Sequence, residues 1–146
     1  MNNRSAPKSA IVPVLIYEDV GKAIEWLCGA FGFSERLSAP GSDGKISHAQ
    51  ISFGAGDVML GAQRPGFRPP RPNEVGHMIH VKVENVDQHF ARAEKFGAKI
   101  VNPLSTYPYG ERQYTAQDIG GHWWTFSQSV ADVDPATWGG ILSVRP

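Results

Sequence analysis

Cysteine is almost absent. Cys28 stands alone in a chain of 146 residues, which excludes a disulfide framework and any multi-cysteine zinc or iron–sulfur site. No apolar run approaches the ~20 residues that a membrane helix needs. The opening residues Met1, Asn2, Asn3 and Arg4 lack the apolar stretch of a secretory signal, so the cytoplasm is the expected location. Neither sign of charge is in excess. The 14 Lys and Arg balance the 14 Asp and Glu, which gives no general attraction for nucleic acid or an anionic membrane. No glycine-rich phosphate loop is present, because Gly54, Gly56, Gly120 and Gly121 fit hairpin turns. No G-x-S-x-G element marks a nucleophile.

What is present suits a single domain that buries an ordinary core, with 41% of residues apolar. Residues 11–17 (IVPVLIY) read as a strand, with Pro13 near its start or at a sheet edge. Asp19 caps a helix carrying Ala23, Ile24, Leu27 and Phe31, and Gly32 stops it. A strand begins in residues 33–37, and the turn at 40–44 leads into a hairpin of strands 48–53 and 58–63. The order then recurs. Residues 77–83 alternate as a strand, and Asn85 or Asp87 caps a helix that Gly97 ends. A strand starts at 99–102 before Pro103, and strands 112–117 and 123–127 flank the turn at 118–121. The repeat, Glu18-Asp19-Val20 to Phe31-Gly32 against Glu84-Asn85-Val86 to Phe96-Gly97, is offset by about 65 residues.

The expected fold is therefore α+β. Two βαβββ modules, residues 10–63 and 75–128, form a curved mixed sheet with a central cleft and the helices outside. Residues 1–9 are a flexible arm. Residues 64–74, with four prolines and three arginines, are an extended linker or flap, and Arg64, Arg68 and Arg71 are either solvated or flank the cleft mouth. Residues 129–146 are a tail without an assigned structure.

Three stretches carry a family resemblance. Residues 17–33 (YEDVGKAIEWLCGAFGF) resemble the first strand–helix segment of the vicinal oxygen chelate superfamily, in its bacterial glyoxalase/bleomycin-resistance-like branch. Residues 48–60 (HAQISFGAGDVML) and 109–126 (YGERQYTAQDIGGHWWTF) are similar to its two hairpins, so the likeness spans residues 10–128. These motifs are specific for fold and not for reaction. The resemblance implies a homodimer, and a divalent metal held by His, Glu or Asp on the first and last strands of each module. Aligned on Asp19, Asn85 and Asp118, the four slots fall at Val12, Met78, Met59 and Thr125, which are poor donors for a hard cation. The expectation is no cofactor, with a divalent metal site including His80 and His48 as the alternative.

The side-chain alternation of strands sorts the other candidates. Met78, His80 and Lys82 share one face, opposite Ile79, Val81 and Val83. Trp123 and Thr125 face the cleft, whereas Trp124 and Phe126 face a helix. His80 contacts a ligand, acts as acid or base, or is simply a hydrogen-bonded histidine. Trp123 stacks on a planar ligand or packs in the core or a dimer interface. Tyr109 and Arg112 lie around a polar loop. Arg112 either meets a ligand carboxylate or phosphate or bridges to Glu111 or Asp118. His48 and His122 suit structural hydrogen bonds, and His89 is expected on the exposed face of its helix. Trp26 and Trp138 suit a dimer interface, and Cys28 is a small buried hydrophobe.

Three functional readings remain. The first is a metal-independent binder of a small planar or amphipathic molecule, with His48, Met59, Met78, His80, Tyr109, Arg112, Trp123 and Thr125 as the ligand-binding set. It has no nucleic-acid or membrane partner. The second is a lyase, isomerase or dioxygenase with atypical metal ligands, or a metal-free enzyme using His80 as base. The third is a structural or regulatory dimer with a vestigial cleft.

Overall fold

The structure is a computed structural model that describes residues 1–143; the last three residues of the tail lie outside the described residues. Its elements are β1 (Val14–Tyr17), α1 (Val20–Phe31), β2 (Ser34–Pro40), β3 (Ile46–Phe53), β4 (Gly56–Ala62), β5 (Ile79–Lys82), α2 (Val86–Lys95), β6 (Lys99–Thr106), β7 (Glu111–Gln117), β8 (Trp123–Ser129) and a 3-10 turn (Pro135–Trp138). Among the described residues no helix is long and apolar enough to cross a membrane.

Local chemistry accounts for the boundaries. The Asp19 carboxylate accepts from the Lys22 N–H, and Gly32 closes α1 at φ 79°, a left-handed conformation that suits glycine. Asn85, and not Asp87, caps α2 by accepting from the Gln88 N–H. Pro13 delays the first strand, which begins at Val14 and leaves Ile11 exposed. β6 runs through Pro103 because it is an edge strand whose register shifts around Asn102.

Strand order is β1-β4-β3-β2 in one sheet and β5-β8-β7-β6 in the other. β1 runs parallel to β4 and β5 to β8, while the remaining pairs are antiparallel. The two modules are present, each with its own four-stranded sheet, where the sequence leads to one curved sheet. α1 lays Ala23, Leu27 and Phe31 on Leu15, Ala49, Ile51 and Leu60; Tyr114, Ala116, Trp124 and Phe126 complete the same core from the second sheet.

Side chains join the modules at two places. At the first, α1 meets α2. Arg92 Nε and Nη2 donate to the Gly29 and Cys28 carbonyls (2.9 and 3.0 Å), supplying donors to the open end of α1. His89 corrects the expectation of an exposed helix face, for its ring is half-buried between the modules. Nε2 lies 2.8 Å from the Phe31 carbonyl, which can only accept, so Nε2 carries the proton. Nδ1 therefore accepts from the Tyr114 hydroxyl at 2.6 Å. Burial pushes the His89 ring below the usual imidazole value, partly opposed by the Phe31 carbonyl. Trp26 is also internal here, edge-on to Phe31 and Phe96 at 5.0 and 6.2 Å.

At the second place, the buried Asp118 carboxylate accepts from the Tyr17 hydroxyl (2.5 Å), Trp124 Nε1 (2.9 Å) and the Gly120 and His122 N–H groups (2.8 and 3.0 Å). The His122 ring in turn bonds the Ile16 carbonyl at 2.7 Å, so it is structural, as its position after two glycines suggests.

Two segments expected to be loose are tied down. The Arg64 guanidinium lies 4.0 Å over the Phe67 ring, and the linker closes a small cavity over Ile16. Residues 4–9, read as a flexible arm, hydrogen-bond across the first sheet. In the tail, Trp138 stands edge-on to Tyr109 at 5.8 Å.

Candidate functional site

In each module one sheet face is covered by the module's helix, and the other, here the inner face, is turned away from it. Register aligns the two inner faces. Gln50 pairs with Met59 and Met59 with Val14; Thr115 pairs with Thr125 and Thr125 with His80. Val14 and His80 are 66 residues apart, as are Met59 and Thr125. The repeat holds at this row to within one residue, since Gln50 and Thr115 are 65 apart. The first-strand positions facing the last strands are Val14 and His80, two residues beyond Val12 and Met78.

With the register in place, the metal question is one of donor chemistry. Val14 and Met59 offer methyl and thioether groups, Thr125 a hydroxyl, and His80 alone an imidazole. Thr125 is already engaged, bonding Thr115 at 2.7 Å and the weak acceptor Met78 Sδ at 3.2 Å. His80 Nε2 lies 2.7 Å from Ser127 Oγ. Among the described residues, no group of three or more His, Cys, Asp or Glu could hold a metal ion. The residues do not fit the divalent metal that the resemblance implies.

The second sheet gathers Met78, His80, Trp123 and Thr125 on its inner face, as alternation requires. Trp123 is half-buried and donates from Nε1 to Gln117 Oε1 at 3.2 Å. Beside this group, Glu111 Oε2 and Gln113 Oε1 are buried acceptors without a partner, while Glu111 Oε1 takes the Ser129 hydroxyl at 2.8 Å. Sequence reasoning missed both residues; their signal was parity with Thr115 on β7. Tyr109 stands near this end, stacked on Tyr107 at 5.4 Å. Burial raises its phenol above the usual value, with Tyr107 and Glu111 adding to the effect.

Three candidates fall elsewhere. Arg112 sits on the helix side of β7 and pairs with Asp87 at 2.9 Å and Thr106 at 3.3 Å, so neither Glu111 nor Asp118 is its partner. The odd–even position of Arg112 relative to Gln113 already placed it there. Replacing Arg112 by alanine is expected to leave ligand affinity unchanged, which a side-by-side titration with the parent protein checks. His48 and Met59 lie on the first sheet. There His48 Nε2 is 3.4 Å from Gln50 Nε2, and among the described residues no hydrogen bond joins the pair to the second-sheet group.

A separate cavity of about 1130 Å³ opens between the modules, lined by Pro13, Phe53, Val58, the edge strand β5, His89 and Arg92. Of the sequence-derived candidates only His80 reaches it. It is a gap at the module junction, and of the row of aligned inner-face residues His80 alone lines it.

The comparisons agree with this architecture. The family model described as Glyoxalase/Bleomycin resistance protein/Dioxygenase superfamily matches residues 10–126. The chain belongs to this superfamily. It is 34% identical over 131 residues to an uncharacterized protein of Mycobacterium bovis, a match that covers 86% of each chain. TioX from Micromonospora sp. ML1 is 37% identical with a TM-score of 0.70, over 83% of this chain and 98% of TioX. TnmS3, an antibiotic binding protein from Streptomyces sp. CB03234, shares the fold at 20% identity and a TM-score of 0.64, over 83% of this chain and 98% of that one.

Proposed function

We propose that this protein binds a small planar or amphipathic organic molecule on the inner face of the second sheet, without a divalent metal. The observation that carries the reading is the register. It sets Thr125 and His80 side by side on that face and Met59 and Val14 on the other, so one imidazole is the only metal-type donor in the four slots. A face of this kind holds a ligand by apolar contact and hydrogen bonds. Trp123 and Met78 offer surface for a flat ring, with Met78 51% exposed. Glu111 and Gln113 offer acceptors to a ligand's N–H or O–H donors, with the Lys82 ammonium 3.8 Å from Glu111 Oε1. Binding of a small molecule is compatible with this fold, since TnmS3, which shares it, is an antibiotic binding protein.

The test is a tryptophan-fluorescence titration against a library of planar amphipathic compounds. Quenching by a defined compound is expected, with affinity falling at least about tenfold in Trp123→Ala, or 1.4 kcal/mol. Stoichiometric zinc, iron, nickel or manganese in protein purified without chelators would overturn the metal-free reading in favour of a lyase, isomerase or dioxygenase.

The working unit is a homodimer in a cytosolic setting. The open edges of β1 and β5, with exposed Ile11 beside the first, support self-association, and Trp138 adds an exposed aromatic. Sedimentation is expected to give a dimer at micromolar concentration; a monomer there refutes it.

A further inference from the structure

Gln50 lies on the inner face of the first sheet, away from α1, yet it is only 2% exposed. The chain's own beginning covers it. Gln50 Nε2 donates to the Ser5 carbonyl at 2.9 Å, and Arg36 Nη2 donates to the Arg4 and Ala6 carbonyls, both at 2.8 Å. Three successive peptide oxygens are thus held by one guanidinium and one amide. Further along the arm, the Lys8 and Ser9 N–H groups (3.1 Å each) and the Ser9 hydroxyl (2.8 Å) fasten to Asp57 Oδ2.

We infer that this face is a second ligand site, for a molecule carrying carbonyl or carboxylate oxygens on an apolar body, and that residues 4–9 hold it closed as an intramolecular competitor. The donor set defines the chemistry. A guanidinium has no acceptor, and Gln50 gives its own oxygen to Arg36 Nη1, so only donors point away from the pair. The buried Gln50 amide and the half-buried Arg36 guanidinium call for acceptors, which the arm now supplies and a ligand would replace. From Gln50 the paired row continues to Met59 and to Val14, 56% exposed, which offers an apolar surface for the body of the ligand. The equivalent row in the second module holds Thr115, Thr125 and His80, with no guanidinium and no arm.

The arm is built to leave. Arg4, Ser5 and Lys8 are exposed and only Ala6, Pro7 and Ser9 are half-buried, so no large apolar side chain anchors it. A tethered competitor lowers apparent affinity by the fraction of time the face is open.

The experiment titrates anilinonaphthalene sulfonate, an aromatic probe with sulfonate oxygens, into four proteins: the full chain, a chain lacking residues 1–9, the full-length Asp57→Asn variant, and the shortened chain carrying Arg36→Gln. Truncation is expected to add a binding phase or raise affinity at least about tenfold. Asp57→Asn should reproduce part of the gain without shortening the chain, and Arg36→Gln should cancel it. Hydrogen exchange gives a readout free of ligand: the Lys8 and Ser9 amides should be protected in the parent and unprotected in Asp57→Asn. Equal titrations of full and shortened chains, or a gain that survives Arg36→Gln, overturn the inference. Trp123→Ala in the shortened chain separates the two sites. A gain that survives Trp123→Ala belongs to the first sheet and supports the inference; a gain abolished by it belongs to the second sheet and overturns the inference while leaving the proposed function standing.

Discussion

Replacing Asp118 by alanine is expected to lower stability by about 3–5 kcal/mol, because it strands buried donors as well as removing a charge. The carboxylate takes four hydrogen bonds, and the Tyr17 hydroxyl and Trp124 indole that donate two of them are fully buried. Water cannot replace the lost acceptor without opening the junction between the modules. Burial, reinforced by the Asp118 charge, pushes the Tyr17 phenol well above its usual range, so Tyr17 stays a donor at any ordinary pH. Tyr17→Phe alone deletes a donor together with its bond and should cost less, about 1–2 kcal/mol. In the double variant the two losses should fall short of their sum, since both remove the same bond. Urea unfolding of the four proteins of the cycle checks this. A cost for Asp118→Ala near that of a surface substitution would show that the modules dock without it.

Phe31→Ala is the second large effect, expected at about 3–5 kcal/mol. The ring is fully buried at the end of α1 and touches Trp26, Trp124, Phe126 and His89 at centroid distances of 5.0, 5.8, 4.7 and 6.2 Å. These partners come from both modules, so the cavity cannot be closed by a shift of one helix. The same vacancy would loosen the Phe31 carbonyl that holds His89 Nε2. Thermal unfolding should show a lowered midpoint with one transition. Two separated transitions would mean that each module folds on its own and that the aromatic cluster does not couple them.

Acid should act on the arm in a defined window. Bonds from Ser52 and Ser9 hold the Asp57 carboxyl at about 2, below its usual 3.8. Its contribution is complete above the usual value and is lost as pH falls through about 2. Protection of the Lys8 amide should therefore persist through mildly acidic solution and fail near that lower value, as hydrogen exchange can follow.

Much of this was legible in order of appearance. Asp19, Gly32 and Asn85 marked helix ends because capping is a matter of one or two neighbouring residues. Alternation placed Trp123 and Thr125 on one face and Trp124 and Phe126 on the other, since a strand allows only two faces. The motif alignment pointed to Val12 and Met78 on the first strands, whereas the residues paired with Met59 and Thr125 are Val14 and His80. It was counted from the helix caps, whereas pairing to the last strands decides which residue stands opposite Met59 or Thr125. His89 was misjudged because the surface of α2 that looks solvated in isolation is covered by α1 of the other module.

By itself, then, the sequence determined the two βαβββ modules, their caps and the face each strand residue takes. All of these are read over a few residues of chain. Only the tertiary structure decided that Asp118 and His89 join the modules, that Arg112 serves Asp87, and that the arm closes over Arg36 and Gln50. Those contacts link residues 25 to 101 positions apart, and a periodic pattern carries no information about which distant surfaces meet.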